Sequence, residues 1–271
     1  AMFQNKNIDV AHAKDLIADI MDDGELVRRQ FMPASLSRTS TLTQWENLKT
    51  ELKHQNRFFP ESSLDVDRIR ELLPYLRLEV GEIASKWFRG RIQSDEQTYP
   101  AEEMGAPPKY KATHGRANPA GIPYLYLASD AETAVSEIRP HAGETATVAE
   151  FELPKALKIV DLRAPKQSIS PFLLIRDDKE LDREDVGFLD QLGKELTRPV
   201  LPQSAAIEYI PTQYLCEYIK SCGFDGVIYV SSVGSGVNLA LFEPELAEIV
   251  ATTSRRVSRV QVELGDAHAD Q

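Results

Sequence analysis

Cysteine is nearly absent from this chain: Cys216 and Cys222 are the only two among 271 residues. That excludes a disulfide scaffold and predicts a cytoplasmic protein. Histidine is sparse as well. His12, His54, His114, His141 and His268 are scattered without an HExxH spacing, and the two cysteines stand six positions apart, on different faces of a helix. No bound metal is expected. No apolar run approaches the roughly 20 residues of a transmembrane helix, so no membrane partner is expected. The start, Ala1-Met2-Phe3-Gln4-Asn5-Lys6, lacks an apolar signal-peptide core, and Ala1 reads as a cloning remnant. Neither GxGxxG nor a P-loop occurs; Gly234-Ser235-Gly236 is a glycine-containing turn. Positive charge is in deficit, with 31 Lys+Arg against 42 Asp+Glu and a net charge of −11. A net anion repels polyanions at long range, so nucleic acid is not an expected partner.

What is present is ordinary globular material, 42% hydrophobic and 27% charged, long enough for one large domain or two modest ones. The first part reads helical. Ile8, Leu16, Ile17 and Ile20 form an apolar stripe ended by Gly24, and a second helix covers Thr43 to His54. Ser62-Ser63 offer caps for a third, with Val66, Ile69, Leu72, Leu73 and Leu76 at helical spacing and Pro74 set to kink or shorten it. A boundary falls near Gly81, dividing a helical region 1–80 from a region 81–271. Strands are predicted at Trp87–Ile92, Tyr124–Leu127, Thr147–Leu153, Leu157–Leu162, Gly226–Val230 and Val237–Phe242. A polar loop joins the first two, and Ser129-Asp130 cap a helix that stops before Pro140. Residues 176–190 are charged and read as a solvated helix or loop. Helices follow at 186–196 and 211–222, with Pro211 in the first turn and Gly223 at the C-cap. The expected class is α+β, helices first and a mixed β core after.

Two basic segments interrupt the acidic chain: Lys86, Arg89 and Arg91, then Lys109, Lys111 and Arg116, with no acid from Pro107 to Asn118. Arginine forks fit phosphate oxygens bidentately, so a local cluster can hold a pyrophosphate despite the negative total. Surface cations paired with nearby acids are the plain alternative. Glu137 lies on a predicted helix with Ala134, Val135 and Ile138 as its apolar face, and reads equally well as a solvated residue. Tyr126 is either core or site. Ser231 and Ser232 end a buried strand at a Gly-rich loop, where a hydroxyl faces a cleft or simply completes a turn. No Ser–His–Asp arrangement can be read from spacing, so a nucleophilic serine has little support.

Together these segments resemble the RES domain family, named for its Arg, Glu and Ser. Gly115-Arg116-Ala117-Asn118-Pro119-Ala120-Gly121-Ile122-Pro123, Tyr124–Ala128 and Glu132-Thr133-Ala134-Val135-Ser136-Glu137 are similar to its central motif. Gly223-Phe224-Asp225-Gly226-Val227-Ile228-Tyr229-Val230-Ser231-Ser232 resembles its Ser motif. Pro211-Thr212-Gln213 and the strand Asn238–Phe242 also fit. The resemblance spans about residues 85–250, and the residues before it resemble the helical HEPN-type extension of longer members. HEPN ribonucleases carry an Arg five to seven positions before a His, and none of the five histidines here has one.

The resemblance implies an ADP-ribosyltransferase-like fold and a bacterial toxin or defence effector that consumes NAD by glycohydrolysis or phosphorolysis. It implies an antitoxin or other protein partner, and a homo-oligomer is compatible with it. No cofactor is implied beyond NAD as substrate. Carried over by motif, Arg116, Glu137 and Ser231 are catalytic, and Arg89, Arg91, Tyr126, Ser232 and Asn238 bind NAD. The chain departs from the pattern at Val230, where a proline often precedes the serine. Ser232 beside Ser231 leaves open which hydroxyl faces the site. Two other readings stand beside this one: transfer of ADP-ribose to a protein, and a partner-binding module with a degenerate site.

Overall fold

The computed structural model of the chain describes residues 9–22, 24–28, 40–62, 64–79, 81–94, 97–169 and 183–261. Three helices come first: α1 (Val10–Met21), α2 (Ser40–His54) and α3 (Val66–Leu72). Next are β1 (Lys86–Ile92), β2 (Leu125–Ala128), α4 (Ala131–Glu137), β3 (Thr145–Glu152) and β4 (Ile159–Asp161). Four helices follow: α5 (Pro165–Ser168), α6 (Arg183–Thr197), α7 (Ala205–Glu208) and α8 (Ile210–Ser221). Three strands close the order: β5 (Gly226–Val230), β6 (Val237–Leu241) and β7 (Glu248–Arg256). The class is α+β. No helix among the described residues is long and apolar enough to cross a membrane.

Local chemistry explains most boundaries and corrects some. In α2, Trp45, Leu48 and Leu52 repeat at helical spacing and are buried. Each large apolar side chain so buried contributes roughly 1.5–3 kcal/mol. The cap of α3 is Asp65, not Ser62 or Ser63: Asp65 Oδ1 accepts from Arg68 N at 2.8 Å. Ser62 N instead donates to Glu51 Oε2 of α2 at 2.7 Å, and Ser63 lies outside the described residues. Pro74 shortens the helical run rather than kinking it: α3 ends at Leu72. It opens a separate 3₁₀ turn, Leu73–Leu76, where its missing N–H costs nothing, and the stripe Ile69, Leu72, Leu73, Leu76 stays buried. The stripe of α1 does not reach the core: Val10, Leu16 and Ile20 are exposed, and Ile8 lies outside the described residues. Its C-cap is Asp22 in the left-handed region (φ 50°) rather than Gly24.

The acidic stretch is also less solvated than its composition implies. Residues 176–182 lie outside the described ones, but in α6 Phe188 and Leu189 are fully buried. Asp185, also buried, takes two hydrogen bonds from Arg68, at 3.2 and 2.5 Å.

The strands form one sheet in the order β4-β5-β6-β2-β1-β3-β7, antiparallel except for β4 and β5. A core of Trp45, Leu72, Leu189, Leu192, Leu215 and Tyr229 gathers α2, α3, α6 and α8 with β5, so residues on both sides of Gly81 share one cluster. A second cluster contains Trp87, Leu127, Phe151 and Leu239, with Met104 from the 93–118 loop fully buried in it. That loop, polar by composition, thus contributes to the core. β7 has no counterpart in the sequence reading; it is an exposed edge strand beside β3, without the alternation that marks a half-buried one.

One irregularity of the sheet matters most. β2 pairs with β6 at four positions but with β1 at one, Phe88 opposite Ala128. Beyond that pair the two central strands part, and the cleft opens where they do.

Candidate active site

α4 carries the carboxylate. Asp130 caps the helix, with Oδ1 accepting from Thr133 N at 2.7 Å, as the Ser129-Asp130 pair predicts. The helix rests directly on β1 because Gly90 has no side chain; a Cβ there would lie 2.8 Å from Ala134 O. At the end of the helix Glu137 Oε1 accepts from Ser231 Oγ at 2.7 Å and from Asn238 Nδ2 at 2.6 Å. Both bonds fall on one oxygen, which leaves Oε2 to the cleft. Ser231 is buried, and its oxygen also accepts from Val233 N (3.2 Å) and Gly234 N (2.9 Å). Its hydrogen-bonding capacity is spent on Glu137 and the turn. Ser232, not Ser231, lines the cleft.

Arg116 sits on a loop held by Asn118 from within and by Tyr126 and Thr212-Gln213 from outside. Asn118 Nδ2 lies within hydrogen-bonding distance of the carbonyls of Thr113, Pro119 and Ile122, at 2.8–3.1 Å. Asn118 Oδ1 accepts from the Tyr126 hydroxyl at 2.7 Å, and that hydroxyl accepts from Ala117 N at 2.9 Å. Burial pushes the Tyr126 phenol well above its ordinary range, so it stays neutral and serves as a bolt for this loop. Its ring lines the cleft. Thr212 Oγ1 donates to Arg116 O at 2.6 Å and Gln213 Nε2 to Gly115 O at 2.8 Å, which gives Pro211-Thr212-Gln213 a physical task. The Arg116 guanidinium donates from Nη1 to Arg198 O at 2.7 Å and lies over the Tyr209 ring, 5.1 Å from its centroid.

Arg89 stands where β1 and β2 part. Its Nη1 donates to Tyr126 O at 3.1 Å, replacing a ladder bond between the strands with a side chain. Burial, together with Arg91 nearby, lowers its pKa, yet a guanidinium remains charged at neutral pH. A desolvated cation of this kind gains by meeting an anion. Arg91 is not brought to the cleft. It stacks on Tyr99 at 4.1 Å, donates to Glu103 O at 3.0 Å, and spends its charge there.

The cleft encloses about 430 Å³. Arg89, Arg116, Tyr126, Glu137, Ser232 and Asn238 all line it, so six of the eight residues singled out in the sequence converge; Ser231 acts behind Glu137, and Arg91 stands apart. Sequence reasoning missed Arg139, Tyr209 and Tyr229, which also line it. Arg139 holds a left-handed conformation (φ 49°) directly before Pro140, turning the chain back at the cleft, and no periodic signal marks such a position. With Arg139 three arginines and one glutamate line the cleft, a cationic lining in a protein of net charge −11. Among the described residues no group of three or more His, Cys, Asp or Glu side chains is placed to hold a metal ion.

Residues 90–260, well over half of the chain, match the RES domain. Among solved structures, a chain in the crystal structure of the M. tuberculosis MbcT-MbcA toxin-antitoxin complex is similar at 15% identity and a TM-score of 0.44. The match covers 72% of this chain and 96% of that one. A comparison with curated proteins gave no match.

Proposed function

The chain belongs to the RES domain family, and from that premise we propose that it cleaves the nicotinamide–ribose bond of NAD, as a toxin or defence effector with an antitoxin-type partner. The observation that carries the reading is Glu137: a carboxylate with one oxygen fixed by Ser231 and Asn238 and the other open to a cleft bordered by three arginines.

The chemistry suits these groups. Nicotinamide leaves from a cationic ring as a neutral base, taking the electron pair of the C1′–N bond, so no general acid is needed. The transition state is ribosyl oxocarbenium-like, as in glycoside hydrolysis. The open oxygen of Glu137 stabilises that positive charge and accepts from a ribose hydroxyl. Arg89 and Arg116 hold the two phosphates through charge-assisted hydrogen bonds, and the Tyr126 ring flanks the bound molecule. Ser232 supplies a hydroxyl at the wall, while Ser231 and Asn238 work by aiming the carboxylate. Water adds at C1′ and loses a proton to solvent, or a phosphate dianion adds through an anionic oxygen, without a covalent enzyme intermediate. The catalytic gain comes from position and preorganised charge.

Incubation with labelled NAD, with and without phosphate, tests this. Free nicotinamide with ADP-ribose identifies hydrolysis, and with ADP-ribose 1-phosphate identifies phosphorolysis. Label on a macromolecule identifies protein ADP-ribosylation instead, and unaltered NAD contradicts the proposal.

A further inference from the structure

The matched RES segment begins at residue 90, yet one contact from far upstream leads directly to Arg116. Lys53 Nζ, in α2, binds Glu208 Oε2 at 2.8 Å. The same oxygen accepts from Arg198 Nη2 at 2.5 Å. Arg198 O in turn accepts from Arg116 Nη1, and Tyr209, the neighbour of Glu208, lies over the Arg116 guanidinium. Glu208 therefore ties together both contacts that fix the Arg116 side chain, one at each end of the segment 198–209. Val200 and Pro202 of that segment line the cleft.

We infer that helix α2 is part of the site's machinery: Lys53 is a positioning residue that aims Arg116 through Glu208 and the 198–209 segment. Taking away Lys53 leaves Glu208 with Arg198 alone, and the segment loses its tie to α2. Glu208 keeps a cationic partner in Arg198, which limits the loss of stability, whereas a displacement of about 1 Å in a binding group matters to a site. The extension thus acts through geometry more than through folding energy.

A neighbouring pair supplies the control. Lys49, also on α2, binds Glu195 at 2.5 Å and is as buried as Lys53, 14% against 16% exposed. Its contact reaches α6 at Glu195, three residues before Arg198, and touches neither Glu208 nor the two groups that hold Arg116. The test compares Lys53→Met, Lys53→Arg and Lys49→Met in the full chain by two readouts. The first is the Arg116 side-chain Nε–H resonance, assigned as the signal lost in Arg116→Lys. It should shift in Lys53→Met, return in Lys53→Arg and stay in place in Lys49→Met. The second, which rests on the proposed NAD cleavage, is the KM for NAD. It should rise about fivefold in Lys53→Met with kcat nearly unchanged, and hold in Lys49→Met. An Arg116 resonance indifferent to Lys53→Met, equal effects from both methionine variants, or a shift with unchanged KM in an active protein overturns the inference. A shifted resonance in a protein that does not cleave NAD sinks the proposed function and leaves the coupling standing.

Discussion

Ser231 and Glu137, 94 residues apart, share a 2.7 Å hydrogen bond in which the serine donates. The serine that helps name the family therefore touches the carboxylate and not the cleft. Its removal also frees the N–H groups of Val233 and Gly234, but its effect on the reaction should pass through Glu137. Ser231→Ala is expected to lower kcat about tenfold and to add nothing to Glu137→Gln, a non-additivity that a double-mutant cycle measures. Additive losses would place Ser231 on the substrate instead.

Arg89 and Arg91 lie two residues apart on β1 but in different surroundings. Arg89→Gln should raise the KM for NAD about tenfold or more, because a phosphate loses a charge-assisted partner. Arg91→Gln should change KM by less than about twofold, since Arg91 is held by Tyr99 and Glu103. Steady-state kinetics on the two variants separate them.

Gly90 brings α4 onto β1, and any side chain there meets the backbone oxygen of Ala134. Gly90→Ala should push the helix outward and misplace Glu137. We expect kcat to fall about 100-fold, with a melting temperature only a few degrees lower. A variant with full activity would show that the close approach is not needed.

Glu51 joins α2 to the turn before α3, accepting from Glu61 N at 2.6 Å and Ser62 N at 2.7 Å. Hydrogen bonds from Ser62 first, and then from Glu61 N, hold its pKa below the ordinary 4.5. A folded-state pKa below the unfolded one means that the stabilisation is complete above the unfolded value and is lost as pH falls through the folded one. The gap in melting temperature between the protein and Glu51→Gln should thus be widest above about pH 5 and close on acidification below about pH 4. A gap independent of pH would contradict the assignment.

Much of this was legible in the residues. The helix over Thr43–His54, the Asp130 cap, and the buried strands β5 and β6 all carry local signals. The arginine, glutamate and serine fragments could be read as one site because their order resembles a family. The remainder depended on contacts with no periodic mark. Lys53 and Glu208 meet across 155 residues. The question of Ser231 or Ser232 was decided by the turn's own N–H groups. Arg91 shares a strand with Arg89, but the nearby Tyr99 ring captures it. β7 carries no sequence mark because an exposed edge strand needs no apolar face.

The most direct test of the account is the rate of nicotinamide release from NAD by the purified protein and by Glu137→Gln. The account requires release by the protein and a loss of at least about 1000-fold in the variant, with NAD binding retained. A variant that releases nicotinamide at the full rate, or a well-folded protein that releases none, would contradict it.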